Sequence, residues 1–355
     1  MATAAPIMRR YKLVQFSTPL CEEAEPLPAV SGHEVLLRVS ACGVCHSDLH
    51  LIDGYFDLGH DRKLDLSYLN LPRVLGHEIV GEVVAVGLEV HDLPVGARRV
   101  VYPWIGCGTC AVCASGQDNL CTQPRTPGVR HDGGFGTHVR VPHPQYLIDF
   151  TGLPEHFACT CACSGLTAYS ALRKAAPLVG DDPLLILGAG GVGLACLYLA
   201  PAVAGVSPTV ADIDPAKRQA ALDGGAKAVV DPAEPDIAKR LLEMSGGGFA
   251  AVIDFVGSAE TAELAITVLR RGGKLINVGL HGGAVSVSLP LLTLRSQTLQ
   301  GSYVGSLLEL RELIALLQQV GSYDLPIRSR PLGEVNQVLG DLRAGRVVGR
   351  TVVVP

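Results

Sequence analysis

The run Pro183-Leu-Leu-Ile-Leu187, followed by Gly188-Ala-Gly-Gly-Val-Gly193 and a helical stretch to Ala204, constrains the fold most tightly. A G-x-G-x-x-G alone is weak evidence. This one lies between a short apolar strand and a helix, and Asp212 ends the next apolar run, Thr209-Val-Ala211, 24 residues after Gly188. That is the context a dinucleotide-binding turn requires. Gly188 makes the tight turn, Gly190 admits the pyrophosphate to the backbone, and Gly193 permits close helix–strand packing. Gly191 and Val192 open a helix whose N-terminus meets phosphate charge. Asp212 accepts hydrogen bonds from an adenosine ribose and repels a 2′-phosphate, which favours NAD over NADP. Further strands at Ala250–Phe255 and Gly273–Gly279, with helical stretches between, predict a doubly wound parallel sheet.

A chain of 355 residues exceeds what one core serves, so two domains are expected. Hydrophobic content of 48% against 18% charge describes a well-buried globular protein. A formal net charge of −5 with no basic run gives nucleic-acid binding no electrostatic support. Gly and Pro break the apolar runs before the roughly 18 residues of a membrane span. The stretch Met1–Tyr11 has arginines but no apolar segment behind them, and reads as no export signal. A cytoplasmic location follows, where the eleven cysteines are better read as metal ligands or catalytic groups than as disulfides.

Ahead of the nucleotide motif the texture is different. Short apolar runs such as Glu34–Val39, set off by Pro and Gly, predict mostly antiparallel strands. The run Ala41-Cys-Gly-Val-Cys-His-Ser-Asp-Leu-His50 gathers two thiols, two imidazoles, a hydroxyl and a carboxylate. Such ligands suit a catalytic zinc, which takes three protein groups and leaves one position open, but this run is too short to surround an ion. His77, set with Glu78 just ahead of an apolar strand, and one of Cys159, Cys161 and Cys163 are the candidates to complete it. The three cysteines stand at alternate positions, which on an extended segment share one face, so Cys161 competes with Cys163. Between His77 and these three, Cys107, Cys110, Cys113 and Cys121 follow C-x2-C-x2-C-x7-C. Four thiolates so spaced close a tetrahedral shell of the structural zinc type. An iron–sulfur centre also takes four thiolates, and a zinc-ribbon nucleic-acid module is weakened by the absence of flanking Lys and Arg.

In this order, Gly43-Val-Cys-His-Ser-Asp48, Gly76-His-Glu78, the four-cysteine lobe, Cys163-Ser-Gly-Leu-Thr-Ala-Tyr169 and Gly188–Gly193 resemble the zinc-dependent medium-chain alcohol dehydrogenases along nearly the whole chain. The resemblance implies an α/β fold: a GroES-like, mostly antiparallel catalytic domain (1–163, with the structural zinc lobe 107–121), a Rossmann NAD-binding domain (164–303), and a return to the catalytic domain (304–355). It makes Cys45, His77 and Cys163 the catalytic zinc ligands. Glu78 becomes the metal's acidic neighbour, and Asp48 the carboxylate that orients the histidine ligand. Ser47 and His50 match the family's proton relay. His46 and Arg350 fall at the cofactor pyrophosphate, Thr167 at the nicotinamide and Lys217 at the adenosine ribose, with Val278 also among the cofactor contacts.

The reaction so implied is hydride transfer between an alcohol and NAD, assisted by zinc, in a homo-oligomer, dimer or tetramer, acting on a small molecule. One departure is the longer interval from His50 to His77. Its extra residues fall in the polar loop Phe56 to Asn70, with His60, Asp61, Arg62 and Lys63, inside the loop-like stretch 53–72; this bears on substrate range and subunit contacts. Rival readings are a zinc polyol dehydrogenase, a zinc-free quinone or enoyl reductase, and a non-catalytic protein that kept the fold. The first often departs from the Cys, His, Cys set, the second lacks it, and the third is expected to lose ligands or relay groups. Trp104, the lone tryptophan, is a candidate wall of the substrate pocket.

Overall fold

The structure is a computed structural model that describes residues 7–355; residues 1–6, the start of the stretch read above for an export signal, lie outside the described residues. Two large sheets divide the labour. The first has the spatial order Leu147–Ile148, Arg98–Val101, Glu78–Val86, Val35–Gly43, Arg350–Val354, Ile327–Pro331, with His138–Val141 paired on Val35–Gly43. It is antiparallel except where Ile327–Pro331 runs parallel to Arg350–Val354. The last strand of the chain therefore pairs with Val35–Gly43, through Val352 opposite Gly43 and Val353 opposite Cys42. A small antiparallel sheet of Cys21–Pro26, Ile7–Leu13 and Arg73–Val74 lies beside it.

The second sheet is wholly parallel, in the order Ala228–Val230, Thr209–Ala211, Leu184–Leu187, Phe249–Asp254, Leu269–Asn277, Thr298–Gly301. Leu184–Leu187 is buried at every residue, as a strand covered by helices on both faces must be. The order reverses between Leu184–Leu187 and Phe249–Asp254, and ligands of such sheets bind at the carboxyl ends beside that switch. The sequence thus anticipated the doubly wound sheet and the antiparallel partner.

Two local expectations differ. The stretch 53–72 is not a plain loop: Tyr55–Asp57 and Lys63–Asp65 form a hairpin whose turn holds His60 and Asp61 at positive φ (53° and 59°). The cysteines 159, 161 and 163 lie on no extended segment. They sit on the helix Glu155–Thr160 and the π-helical turn Cys161–Gly165 that continues into Leu166–Ala175. Alternation would have put all three on one face. Helical winding separates Cys161 from Cys163 and makes Cys159, four residues earlier, its nearer competitor.

Candidate active site and metal centres

Cys45 caps the helix His46–Asp53 in extended conformation, and Asp48 organises everything around it. One carboxylate oxygen, Oδ2, accepts the Cys45 amide at 2.9 Å, and the other, Oδ1, accepts the Gly76 amide at 3.2 Å and lies 3.5 Å from His77 Nδ1. Asp48 and His77 are fully buried. Neither ring nitrogen of His77 has a hydrogen-bond partner: Nδ1 faces the Asp48 carboxylate at 3.5 Å, and Nε2 is buried with none. A buried nitrogen in that state calls for a ligand. The Sγ atoms of Cys45 and Cys163 and the His77 nitrogen all lie within 4.8 Å of one another. Two sulfurs and an imidazole on one side, with no fourth protein ligand, fit zinc with an open position.

The electrostatics agree. Cys45 is held well below an ordinary thiol, first by the Cys163 thiol beside it and then by His77, whereas Cys163 is pushed well above, first by Cys45 and then by burial. Burial opposes charge on His77, but Asp48 and Cys45 outweigh it and hold the imidazole well above its usual range. A cation bound by these three groups would displace their protons. The other two candidates are spoken for: Cys159 Sγ donates to Glu78 O at 3.1 Å, and Cys161 Sγ to Phe157 O at 3.5 Å.

Glu78, fully buried, accepts the Ser164 amide at 3.0 Å through Oε1 and pairs with Arg350 through Oε2. Gly43 is glycine for this reason: a Cβ there would stand 1.9 Å from Glu78 Oε2. Sequence reading missed Gly43 and Ser164, although the glycine is visible in the Cys-Gly-Val-Cys run. Arg350 reaches on to the glycine-rich turn, its Cδ only 2.2 Å from where a Cβ on Gly191 would lie. Arg350 thus joins the metal cluster to the nucleotide turn. That turn has Gly188 at φ +91°, and a Cβ on Gly193 would lie 1.8 Å from Gly188 O, whereas one on Gly190 meets nothing within 4 Å. Open space at the middle glycine is what a dinucleotide-binding turn requires. Asp212 accepts the Ala189 and Asp214 amides at 2.7 and 2.8 Å, which fixes its carboxylate beside the turn.

Ser47 and His50, three residues apart on one helix, share a face; Ser47 Oγ lies 3.8 Å from Cys45 Sγ. His50 is half-buried against Phe56, ring centroids 4.9 Å apart, and burial lowers its pKa below the usual 6.5. Thr167 is buried at the start of Leu166–Ala175, and His46 is exposed at the head of its helix. Lys217 is half-buried in the helix Pro215–Asp223, and Val278, half-buried, donates to Asp254 O at 2.9 Å. No contact in the protein itself draws these last two to the metal cluster.

The second centre is local. Sγ–Sγ separations of 3.9 Å (Cys107–Cys113), 3.5 Å (Cys110–Cys113) and 3.9 Å (Cys110–Cys121) match the roughly 3.8 Å that a tetrahedron of 2.3 Å zinc–sulfur bonds requires. All eleven cysteines are free. Amides of Cys107, Thr109, Cys113 and Gln123 donate to the cluster's sulfurs at 3.3–3.5 Å. The Thr109 amide foremost pulls Cys107 down to about 5, while burial foremost pushes Cys113 up to about 12. Four thiols at these separations make a closed ligand set of the structural zinc type.

The alcohol dehydrogenase GroES-like domain family matches residues 31–151, and the zinc-binding dehydrogenase family residues 191–319. An NAD-dependent alcohol dehydrogenase of Sulfurisphaera tokodaii is 35% identical over 350 residues, covering 98% of this chain and 100% of that protein. A D-arabinose 1-dehydrogenase (NADP(+)) of Saccharolobus solfataricus is 32% identical over 349 residues, covering 97% and 96%. The crystal structure of the alcohol dehydrogenase from Aeropyrum pernix superposes with a TM-score of 0.88 at 32% identity, covering 98% of this chain and 100% of that one. With two family domains in order and such relatives along its length, the chain belongs to the zinc-dependent medium-chain alcohol dehydrogenases.

Proposed function

We propose that this protein, an oxidoreductase acting on CH–OH groups, is NAD-linked, binds two zinc ions per chain and moves the substrate proton through Ser47 and His50. One observation carries the reading. Cys45, His77 and Cys163 converge on a buried point with an unpartnered His77 Nε2, and Arg350 links that point to the glycine-rich turn. Zinc held there supplies a Lewis acid that lowers the pKa of an alcohol oxygen, and NAD supplies the hydride acceptor.

The chain's own groups do the rest. Asp48 holds His77 in the tautomer that presents Nε2. Ser47 Oγ takes the substrate's proton and hands it to His50, which burial keeps neutral and ready to accept it near pH 7. His46 and Arg350 bind the pyrophosphate, Thr167 and Val278 border the nicotinamide, and Asp212 and Lys217 bind the adenosine ribose. Glu78 holds Arg350 in place between the two halves of the site. The two lobes divide as residues 1–163 with 304–355 against 164–303, and the reaction takes place between them, as in many inter-domain pockets.

Eleven free thiols support a reducing, cytoplasmic setting. Among the described residues no helix is long and apolar enough to cross a membrane. A homo-oligomer is supported by the edge strand Thr298–Gly301, exposed at every residue, and by Leu289, Leu291 and Leu294 exposed on the helix beside it; such an edge needs a partner strand.

The test is a cofactor comparison on a panel of alcohols and aldehydes. NAD should exceed NADP, and Asp212→Gly should narrow the gap by about tenfold by removing the ribose acceptor and the repulsion. Equal turnover of both cofactors by the native enzyme would refute the role given to Asp212.

A further inference from the structure

Beside the turn that leads into His77 stands a cation that the mechanism does not use. Trp104, 4% exposed, lies 5.3 Å from the His77 ring and 5.7 Å from Tyr303 between ring centroids. Its indole Nε1–H is buried without a hydrogen-bond partner, and such a donor costs free energy until a ligand oxygen meets it. Tyr303 is held by Asn119 Nδ2, which donates to its carbonyl at 3.1 Å. Half of the Tyr303 surface is open. From His77 outward the wall is thus aromatic.

Arg130 belongs to a turn packed directly on the metal ligand's neighbour. Gly128 holds φ +78° in that turn, and a Cβ on it would stand 2.5 Å from Gly76 O, one residue before His77. The Arg130 guanidinium carbon lies 4.2 Å over the Tyr68 ring. Tyr68 is half exposed between the buried Leu66 and Leu69, which pin its backbone. Among the described residues no carboxylate lies within ion-pair reach of Arg130 and no acceptor takes its side-chain N–H groups. Stacking on a ring fixes the plane of the guanidinium and leaves its edge free, which is the arrangement that forks a carboxylate.

We propose that Arg130, with Tyr68 beneath it, is a specificity-determining residue for alcohols or aldehydes carrying a carboxylate on a flat body, the body lying along Trp104 and Tyr303. The inference rests on the dehydrogenase reading given above. A neutral alcohol leaves the fork empty; an acid fills it.

Two readouts test it on the zinc-loaded full chain. With NAD, para-(hydroxymethyl)benzoate should exceed its neutral amide in kcat/KM by about tenfold, through KM and not kcat, and the ratio should shrink with added salt. Arg130→Gln should bring the ratio to about one, and Arg130→Lys should keep part of it as a point charge without the fork. Because Trp104 is the lone tryptophan, benzoate titrated against its fluorescence should quench saturably, about tenfold more weakly in Arg130→Gln. An amide used as well as the acid, or a preference unchanged in Arg130→Gln, overturns the inference and leaves the dehydrogenase standing. So does turnover of aliphatic alcohols with neither aryl substrate accepted. Absence of turnover on every alcohol with either cofactor fails the dehydrogenase reading, and this inference falls with it.

Discussion

The two cysteine clusters use the same chemistry to opposite ends. Cys107, Cys110, Cys113 and Cys121 come from one short loop, are half-exposed apart from the buried Cys121, and are steadied by local amides. Cys45, His77 and Cys163 come from a helix cap, a strand entry and a π-helical turn, and all three are buried. The closed shell needs nothing from the rest of the protein. The open one depends on it: Asp48 aims His77, and Glu78 braces Ser164 and Arg350. Locality suits a staple. Assembly from three distant segments suits a three-ligand site, which on the proposed reading leaves one position for substrate.

The largest expected effect breaks the assembled site alone. Cys163→Ser removes a soft thiolate, and turnover should fall by more than about a thousandfold, as loss of Lewis-acid catalysis demands. Metal analysis of that variant should still find the zinc of the four-cysteine cluster. Cys159→Ser and Cys161→Ser should keep most activity, since their thiols bond to carbonyls away from the cluster. A dead Cys161→Ser beside an active Cys163→Ser would reverse the assignment.

Cys107→Ser breaks the local site. The loop 107–121 then loses the ion that closes it, and Tm should drop by on the order of 10 °C, read by calorimetry, while the folded fraction keeps its turnover. An unchanged Tm would mean that the cluster is not a structural metal site.

His50→Gln sharpens the contrast from the open side, because only the assembled site must export a proton. Turnover should fall by about a hundredfold. The pH profile carries the sign. Burial lowers the folded pKa of His50 below 6.5, so the neutral, accepting form dominates at pH 7, and native activity declines as pH falls through that lowered value. The same shift means that the stability His50 contributes is complete above 6.5 and is lost toward acid. In His50→Gln that acidic limb should disappear from the rate profile. Its persistence would assign the limb to another group.

What the sequence disclosed follows the same division. The four-cysteine lobe was legible because its ligands are neighbours in the chain, and the strand–glycine turn–helix because each glycine answers a local steric demand, as Gly193 against Gly188 O shows. The third member of the buried cluster, Cys163, was less so. Residue reading left Cys159, Cys161 and Cys163 open and argued from an extended segment, whereas the chain is helical there, with a π turn whose bonding no apolar period announces. The hairpin of 55–65 escaped for a related reason: Tyr55–Asp57 and Lys63–Asp65 are three-residue strands, too short for alternation to register. The Glu78–Arg350 pair joins residues 272 apart, and only the return of the last strand to Val35–Gly43 brings them together.

Graded chelation, with zinc content and alcohol turnover followed on the same samples, tests the central claim most directly. The open, three-ligand site should empty before the closed four-thiolate site. Starting from about two zinc ions per chain, turnover should fall in proportion to the first ion lost and vanish near one remaining, with Tm little changed until the second leaves. Turnover that survives loss of the first ion, or a single zinc whose loss removes activity and fold together, would contradict the account.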